Sequence, residues 1–196
     1  MNIWRVNFNV EKYMWCVFNE TESMNLLQFA ELFFNEEILS EKLPKEIVFH
    51  NKDDENKNPP ADMMMCSGTC SGIVNDRVKK MLESQYDGVF HFYRAHLKEL
   101  PNEIHYILVP AVYLYAEEVL DLENTDIDYV CDDVIFKIRR YVFTTKVKKN
   151  HFFRMIFNNG KIKMYNWLYC DDKFKNFIEK NDITGLKFKK IYEFED

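Results

Sequence analysis

Hydrophobic and polar positions along the chain follow two rhythms, and the two-residue rhythm dominates. Trp4, Val6 and Phe8, then Tyr13, Trp15 and Val17, fall on alternate positions, so residues 2–18 are expected to form one or two strands. Ile47–Phe49 reads as a short strand. Val89–Leu97, Ile104–Val109, Val134–Ile138, Tyr141–Thr145, His151–Phe157 and Lys161–Leu168 read as longer ones. Asn158-Asn-Gly160 joins the last two with a strong hairpin signal, because Asn-Gly tolerates the positive φ of a tight turn. Pro110 ends a strand or marks a sheet edge.

The 3.6-residue rhythm appears in three places. Glu22–Leu43 carries a stripe of Leu26, Phe29, Ala30 and Phe33 and is closed by Pro44, which predicts a long helix. The other two stretches are near-copies of each other. Phe174, Phe177 and Ile178 share one helix face, opposite Lys173, Lys175, Asn176 and Glu179. At positions lower by 96, Val78, Met81 and Leu82 repeat that face, while Asp76, Lys79 and Glu83 repeat Asp172, Lys175 and Glu179. Asn75 and Asp171 stand where an N-cap is needed, and Asp172 places negative charge at the positive end of its helix. Gly185 then punctuates the second copy before the alternating Leu186-Lys-Phe188.

These readings predict an α+β protein: mostly antiparallel sheet with a few helices, including two strand-to-capped-helix units. Residues 51–60 read as a polar surface loop, 61–72 as irregular, and 111–121 as open between strand and helix. Residues 1–58 are expected to be a strand/helix elaboration packed on the same domain as an α+β region spanning 59–196.

Composition narrows the class. With 47% hydrophobic and 16% aromatic residues among 196, the chain can build a packed core, which excludes global disorder. No apolar run approaches the ~20 residues that span a bilayer. The N-terminus alternates and lacks the apolar block of a signal peptide. Five cysteines without framework spacing favour a reducing compartment, so a soluble cytoplasmic protein is expected.

Charge is distributed unevenly. Residues 1–136 hold 11 Lys or Arg against 25 Asp or Glu, whereas residues 137–190 hold 15 against 4. Eight carboxylates, Glu117, Glu118, Asp121, Glu123, Asp126, Asp128, Asp132 and Asp133, run without an intervening Lys or Arg. They read either as a solvated loop or as an acidic patch that steers a basic protein partner, and the patch is the expected contact surface. No EF-hand spacing accompanies them.

Other chemistry is thinly represented. Gly68-Thr-Cys-Ser-Gly72 has the outline of a nucleophile elbow with Cys70 as nucleophile and His91, His96, His105 or His151 as base. A real elbow needs a strand running into the nucleophile and a helix starting there, whereas the cap Asn75 comes five residues late. Cys66 and Cys70 with His91 and His96 make a poor zinc set, because the two histidines would point to opposite faces of a strand. No phosphate-binding glycine motif occurs. Lys146, Lys148, Lys149, Arg154, Lys161 and Lys163, interleaved with aromatics, could serve a nucleic-acid face, but the chain is acidic overall. No catalytic residue, metal or cofactor is expected.

Longer signatures point elsewhere. Pro60-Ala-Asp-Met, with Ile73–Glu83, resembles the first signature of the myxobacterial-type immunity domain of bacterial polymorphic toxin systems. Leu168–Lys190, with its Thr184-Gly-Leu-Lys-Phe188, is similar to the second. His105-Tyr-Ile-Leu-Val109 and Leu120-Asp-Leu-Glu-Asn124 resemble the segments between them. The family usually carries serine at both helix starts, where this chain has Asn75 and Asp171; all three residue types cap a helix. The resemblance covers about Pro59 to Tyr192 and implies a non-catalytic protein that binds and blocks a cognate protein toxin; the apolar runs and the overall acidity separately lead to the expectation of no membrane and of no nucleic-acid partner. It carries over no toxin-contacting residue.

Overall fold

The computed structural model describes residues 1–22, 24–34, 42–52, 58–67, 71–131, 134–158 and 163–195. The side chains of 34, 130, 131, 134–136, 158 and 163–167 are outside the description. The chain divides into two units, and each holds one of the two capped helices. One comprises residues 8–111 and 180–187, the other residues 1–7, 112–179 and 188–196. Residues 1–58 are thus shared between the two.

The first unit is a closed six-stranded barrel. In barrel order the strands are β2 (Trp15–Phe18), β3 (Val48–Asn51), β6 (Phe90–Leu97), β7 (His105–Pro110), β5 (Gly72–Asn75) and β4 (Met63–Cys66). Closure comes from two parallel pairings, β2 with β4 and β3 with β6; the remaining pairs are antiparallel. Alternate residues of these strands share one buried cluster, including Cys16, Phe18, Phe49, Met64, Cys66, Ile73, Ala95, Leu97, Ile107 and Val109. Helix α1 (Leu26–Phe34) adds Phe29 and Phe33, with Phe29 stacked on Phe18 at 4.1 Å between ring centroids. Each such buried phenylalanine contributes about 1.5–3 kcal/mol. Of the predicted helix 22–43, residues 35–41 lie outside the described residues. The reading of 61–72 as irregular is corrected: Met63–Cys66 and Gly72–Asn75 are paired antiparallel strands leading into α2 (Asp76–Gln85).

The second unit is a five-stranded sheet in the order β13 (Leu186–Glu193), β1 (Asn2–Phe8), β12 (Lys163–Asp171), β11 (Phe152–Asn158) and β8 (Tyr113–Tyr115). β12 pairs antiparallel with both β1 and β11, and β8 runs parallel to β11. The Asn158↔Lys163 pairing fits the expected hairpin, although residues 159–162 lie outside the described residues. Helix α4 (Asp172–Lys180) follows β12. Helix α3 (Ala116–Val119) follows β8, resolving the ambiguity at 111–121 into a strand and one helical turn. β9 (Asp126–Cys131) and β10 (Val134–Arg140) form a separate two-stranded ribbon. The expected strand at 141–145 is corrected. Phe143 makes only an isolated bridge to Leu120, and a 3-10 turn follows at Thr145–Lys149, anchored by the fully buried Val147.

Strands dominate, the pairing is largely antiparallel and the helices are few: the class is α+β, as the pattern predicts. None of the described helices is long and apolar enough to cross a membrane.

Candidate functional site

The two capped helices share more than their sequence pattern. Asn75 Oδ1 accepts from the Val78 amide and Asp171 Oδ1 from the Phe174 amide, both at 2.9 Å. Each cap also reaches the residue that leads into the preceding antiparallel strand. Asn75 Nδ2 donates to Asp62 Oδ1 at 2.8 Å, and Asp171 Oδ2 lies 2.8 Å from His151 Nδ1. One position before each cap, an aromatic on the other neighbouring strand is in register: Tyr106 with Val74, and Trp4 with Cys170. The Tyr106 hydroxyl donates to Asp76 Oδ1 at 3.5 Å, and Trp4 Nε1 donates to Asp172 Oδ1 at 2.8 Å. Lys79 lies over the Tyr106 ring and Lys175 over the Trp4 ring, at 5.0 and 4.8 Å from the centroids, and each lysine is paired with the glutamate four residues on. Tyr106 and Trp4 were not visible as partners, because neither lies near its helix in sequence. These contacts are internal and serve the fold.

The acidic run, expected from the sequence to be a contact surface, falls in the second unit. Glu117 and Glu118 are exposed on α3. Asp121 is engaged in a turn: its carboxylate accepts from the Asn124 amide and side chain, and its carbonyl accepts from Thr125. That turn, with the buried Leu120, accounts structurally for the Leu-Asp-Leu-Glu-Asn segment. Glu123 is exposed beside it. Asp126 and Asp128 stand on β9 opposite Arg140 and Lys137 of β10, and Arg139 Nε donates to Asp128 Oδ2 at 2.7 Å. Arg139 is held more firmly protonated by that bond and by the charge of Asp128. Asp132 and Asp133 lie outside the described residues. The run is therefore dispersed over a helical turn, a loop and a ribbon, and β10 brings cations across from it. Two large apolar side chains stay open here, Tyr129 at 54% and Leu122 at 43% exposure.

Beside α3, the 3-10 turn lines an open depression of about 520 Å³ with Leu114, Glu118, Val119, Thr145, Lys146, Lys148, Lys149 and Asn150. Thr144 fixes one wall to the other, its amide donating to Val119 O and its hydroxyl to Glu118 O.

The alternative chemistries fare differently. Gly68, Thr69 and Cys70 lie outside the described residues, but the segment connects the antiparallel strands β4 and β5, whereas an elbow joins a strand directly to a helix. Cys66 is fully buried in the barrel cluster while His91 is exposed, so these two described members of the zinc set are not brought together. His96 is half-buried on β6, and His105 is buried at the start of β7. Among the described residues no three His, Cys, Asp or Glu side chains cluster to hold a metal. Arg154 is fully buried with its guanidinium over the Tyr113 ring, which removes it from any nucleic-acid face. The side chains of Lys161 and Lys163 lie outside the described residues.

A charged ribbon carrying the open Tyr129, preceded in the chain by a loop with the open Leu122, marks a candidate protein-binding surface on an α+β scaffold. The particular family is specific: the model of the immunity protein family Imm11 matches residues 13–193, nearly the whole chain, and the chain belongs to that family. The match begins well before Pro59, so most of the N-terminal stretch that the signatures left unassigned is part of the family domain. No protein of curated function is similar to it in sequence.

Proposed function

We propose that this protein is a cytoplasmic immunity protein that binds a cognate bacterial toxin and neutralises it by direct occlusion, without catalysis of its own. The observation that carries the reading is membership of the immunity family along nearly the whole chain. The contact surface is the acidic segment from Glu117 through Asp133. Exposed Tyr129 and Leu122 act as anchors, and Glu117, Glu118, Glu123, Asp126 and Asp128 form a charged rim. Arg139 and Arg140 belong to the same surface. The rim then steers and registers the partner through mixed charge, with no uniform negative field.

Mixing the purified protein with the toxin encoded beside it tests this reading. A stable stoichiometric complex by size exclusion, with loss of toxin activity, is expected. Separate elution with full toxin activity would contradict it.

A further inference from the structure

The depression beside the 3-10 turn has an unusual balance of charge. Lys146, Lys148 and Lys149 line it, and among the described residues none of the three makes an ion pair. Their display is fixed by packing, because Val147 between them is fully buried and holds the turn in the core. The Lys148 ammonium is steadied over the Phe194 ring at 4.5 Å. Asn150 lines the same depression, and its side-chain nitrogen is buried without a hydrogen-bond partner. Among the described residues the only acid in the lining is Glu118, and Leu114 and Val119 add apolar surface.

From this arrangement we propose that the depression is a binding site for an acidic peptide segment, through one or more Asp or Glu side chains. The exposed ammonium groups and the Thr145 hydroxyl supply donors for carboxylates. Glu118 argues against a phosphodiester backbone, which presents acceptors and repeated negative charge but no donor to meet it. A peptide carries its own N–H groups, one of which can donate to Glu118 while a neighbouring carboxylate meets the lysines. The proposal deepens the protein-binding reading: it rests on the partner being a protein and adds that the partner brings an acidic segment to this site.

The test needs no toxin. Backbone amide resonances of the full chain are followed while acetyl-Glu-Asp-Glu-Asp-amide is added, with acetyl-Gln-Asn-Gln-Asn-amide, inorganic phosphate and a short oligothymidylate in parallel. Saturable shifts confined to Leu114–Val119 and Thr145–Asn150, with the acidic peptide alone, are expected. They should weaken at least about threefold in a K146Q/K148Q/K149Q variant and strengthen by a similar factor in E118Q, as exposed charge contacts of modest strength dictate. No localised shift, or tighter binding of phosphate or oligothymidylate than of the peptide, would overturn the proposal. Either outcome leaves toxin binding by the whole protein to be judged separately, by complex formation.

Discussion

Asp62 and Thr184, 122 residues apart, are locked together by a reciprocal set of hydrogen bonds. The Asp62 amide donates to Thr184 Oγ1, while the Thr184 amide and hydroxyl both donate to Asp62 Oδ2, at 2.9 to 3.0 Å. Met63 N adds a bond to Thr184 O at 3.1 Å. The two signature segments that carry the family resemblance therefore meet physically, one supplying Asp62 and the other Thr184-Gly185. Asp62 also takes Arg77 at 2.8 Å and the Asn75 cap, so one carboxylate ties the closing turn to the first capped helix.

Gly185 is required by this junction. Its φ is +106°, and a Cβ there would sit 1.8 Å from Met63 O, a backbone atom that cannot move aside cheaply. Gly185→Ala is expected to destabilise the protein by at least about 2 kcal/mol in urea unfolding. Gly88, whose φ is +71°, has open space around it, so Gly88→Ala should cost about 1 kcal/mol from conformation alone.

Acid stability should fall in two windows. His105 is buried, and burial holds its imidazole below the ordinary range despite the opposing charge of Glu103. Its folded-state pKa lies below the unfolded value, so its contribution is complete above about pH 6.5 and is lost as pH falls through the depressed value. For Asp62, partial burial alone would raise the carboxyl, but hydrogen bonds from Thr184, Arg77 and Asn75 outweigh it and bring it to about 2. That stability is complete above about pH 4 and is lost on approaching pH 2. Chemical unfolding across pH should show H105Q losing the first slope and D62N the second.

Trp4 and Tyr106 occupy matching positions against the two capped helices, with bonds of unequal length, 2.8 and 3.5 Å. Trp4→Phe removes a good donor to a carboxylate and should cost about 1.5–3 kcal/mol, whereas Tyr106→Phe should cost less than about 1. Equal losses from the two would show that the shared geometry carries no energetic distinction.

Tyr129 separates folding from recognition. Being more than half exposed on the ribbon, it should tolerate Tyr129→Ala within about 0.5 kcal/mol of stability. The same change should weaken the toxin complex by about 2 kcal/mol or more, read by titration calorimetry.

Much of this fold is legible locally. Asn75 and Asp171 cap their helices as their residue types require, and β6, β7 and the β11–β12 hairpin lie near where alternation puts them. What failed was long-range. Met63-Met-Met-Cys66 shows no polar alternation because Met63, Met64 and Cys66 are all buried, so it reads as irregular until β2 and β5 flank it. Tyr141–Thr145 has a strand's composition, but Tyr141 and Phe143 are spent on a core of stacked aromatic rings with no ladder. The acidic run looks uniform only along the chain, since the cations that face Asp126 and Asp128 arrive on the next strand. The depression was invisible for the same reason: its walls come from residues 114–119 and 145–150.

The most direct measurement is growth rescue. Each toxic gene encoded beside this one is expressed in a sensitive host with and without the intact protein, and survivors are assayed for co-purification. The account predicts that one neighbour kills alone, is tolerated in the presence of this protein, and co-purifies with it, with rescue lost on combining Tyr129→Ala with charge reversal at Asp126 and Asp128. A toxic neighbour that kills equally with the protein present, and never co-purifies with it, would contradict the claim that this chain is an immunity protein acting by direct binding.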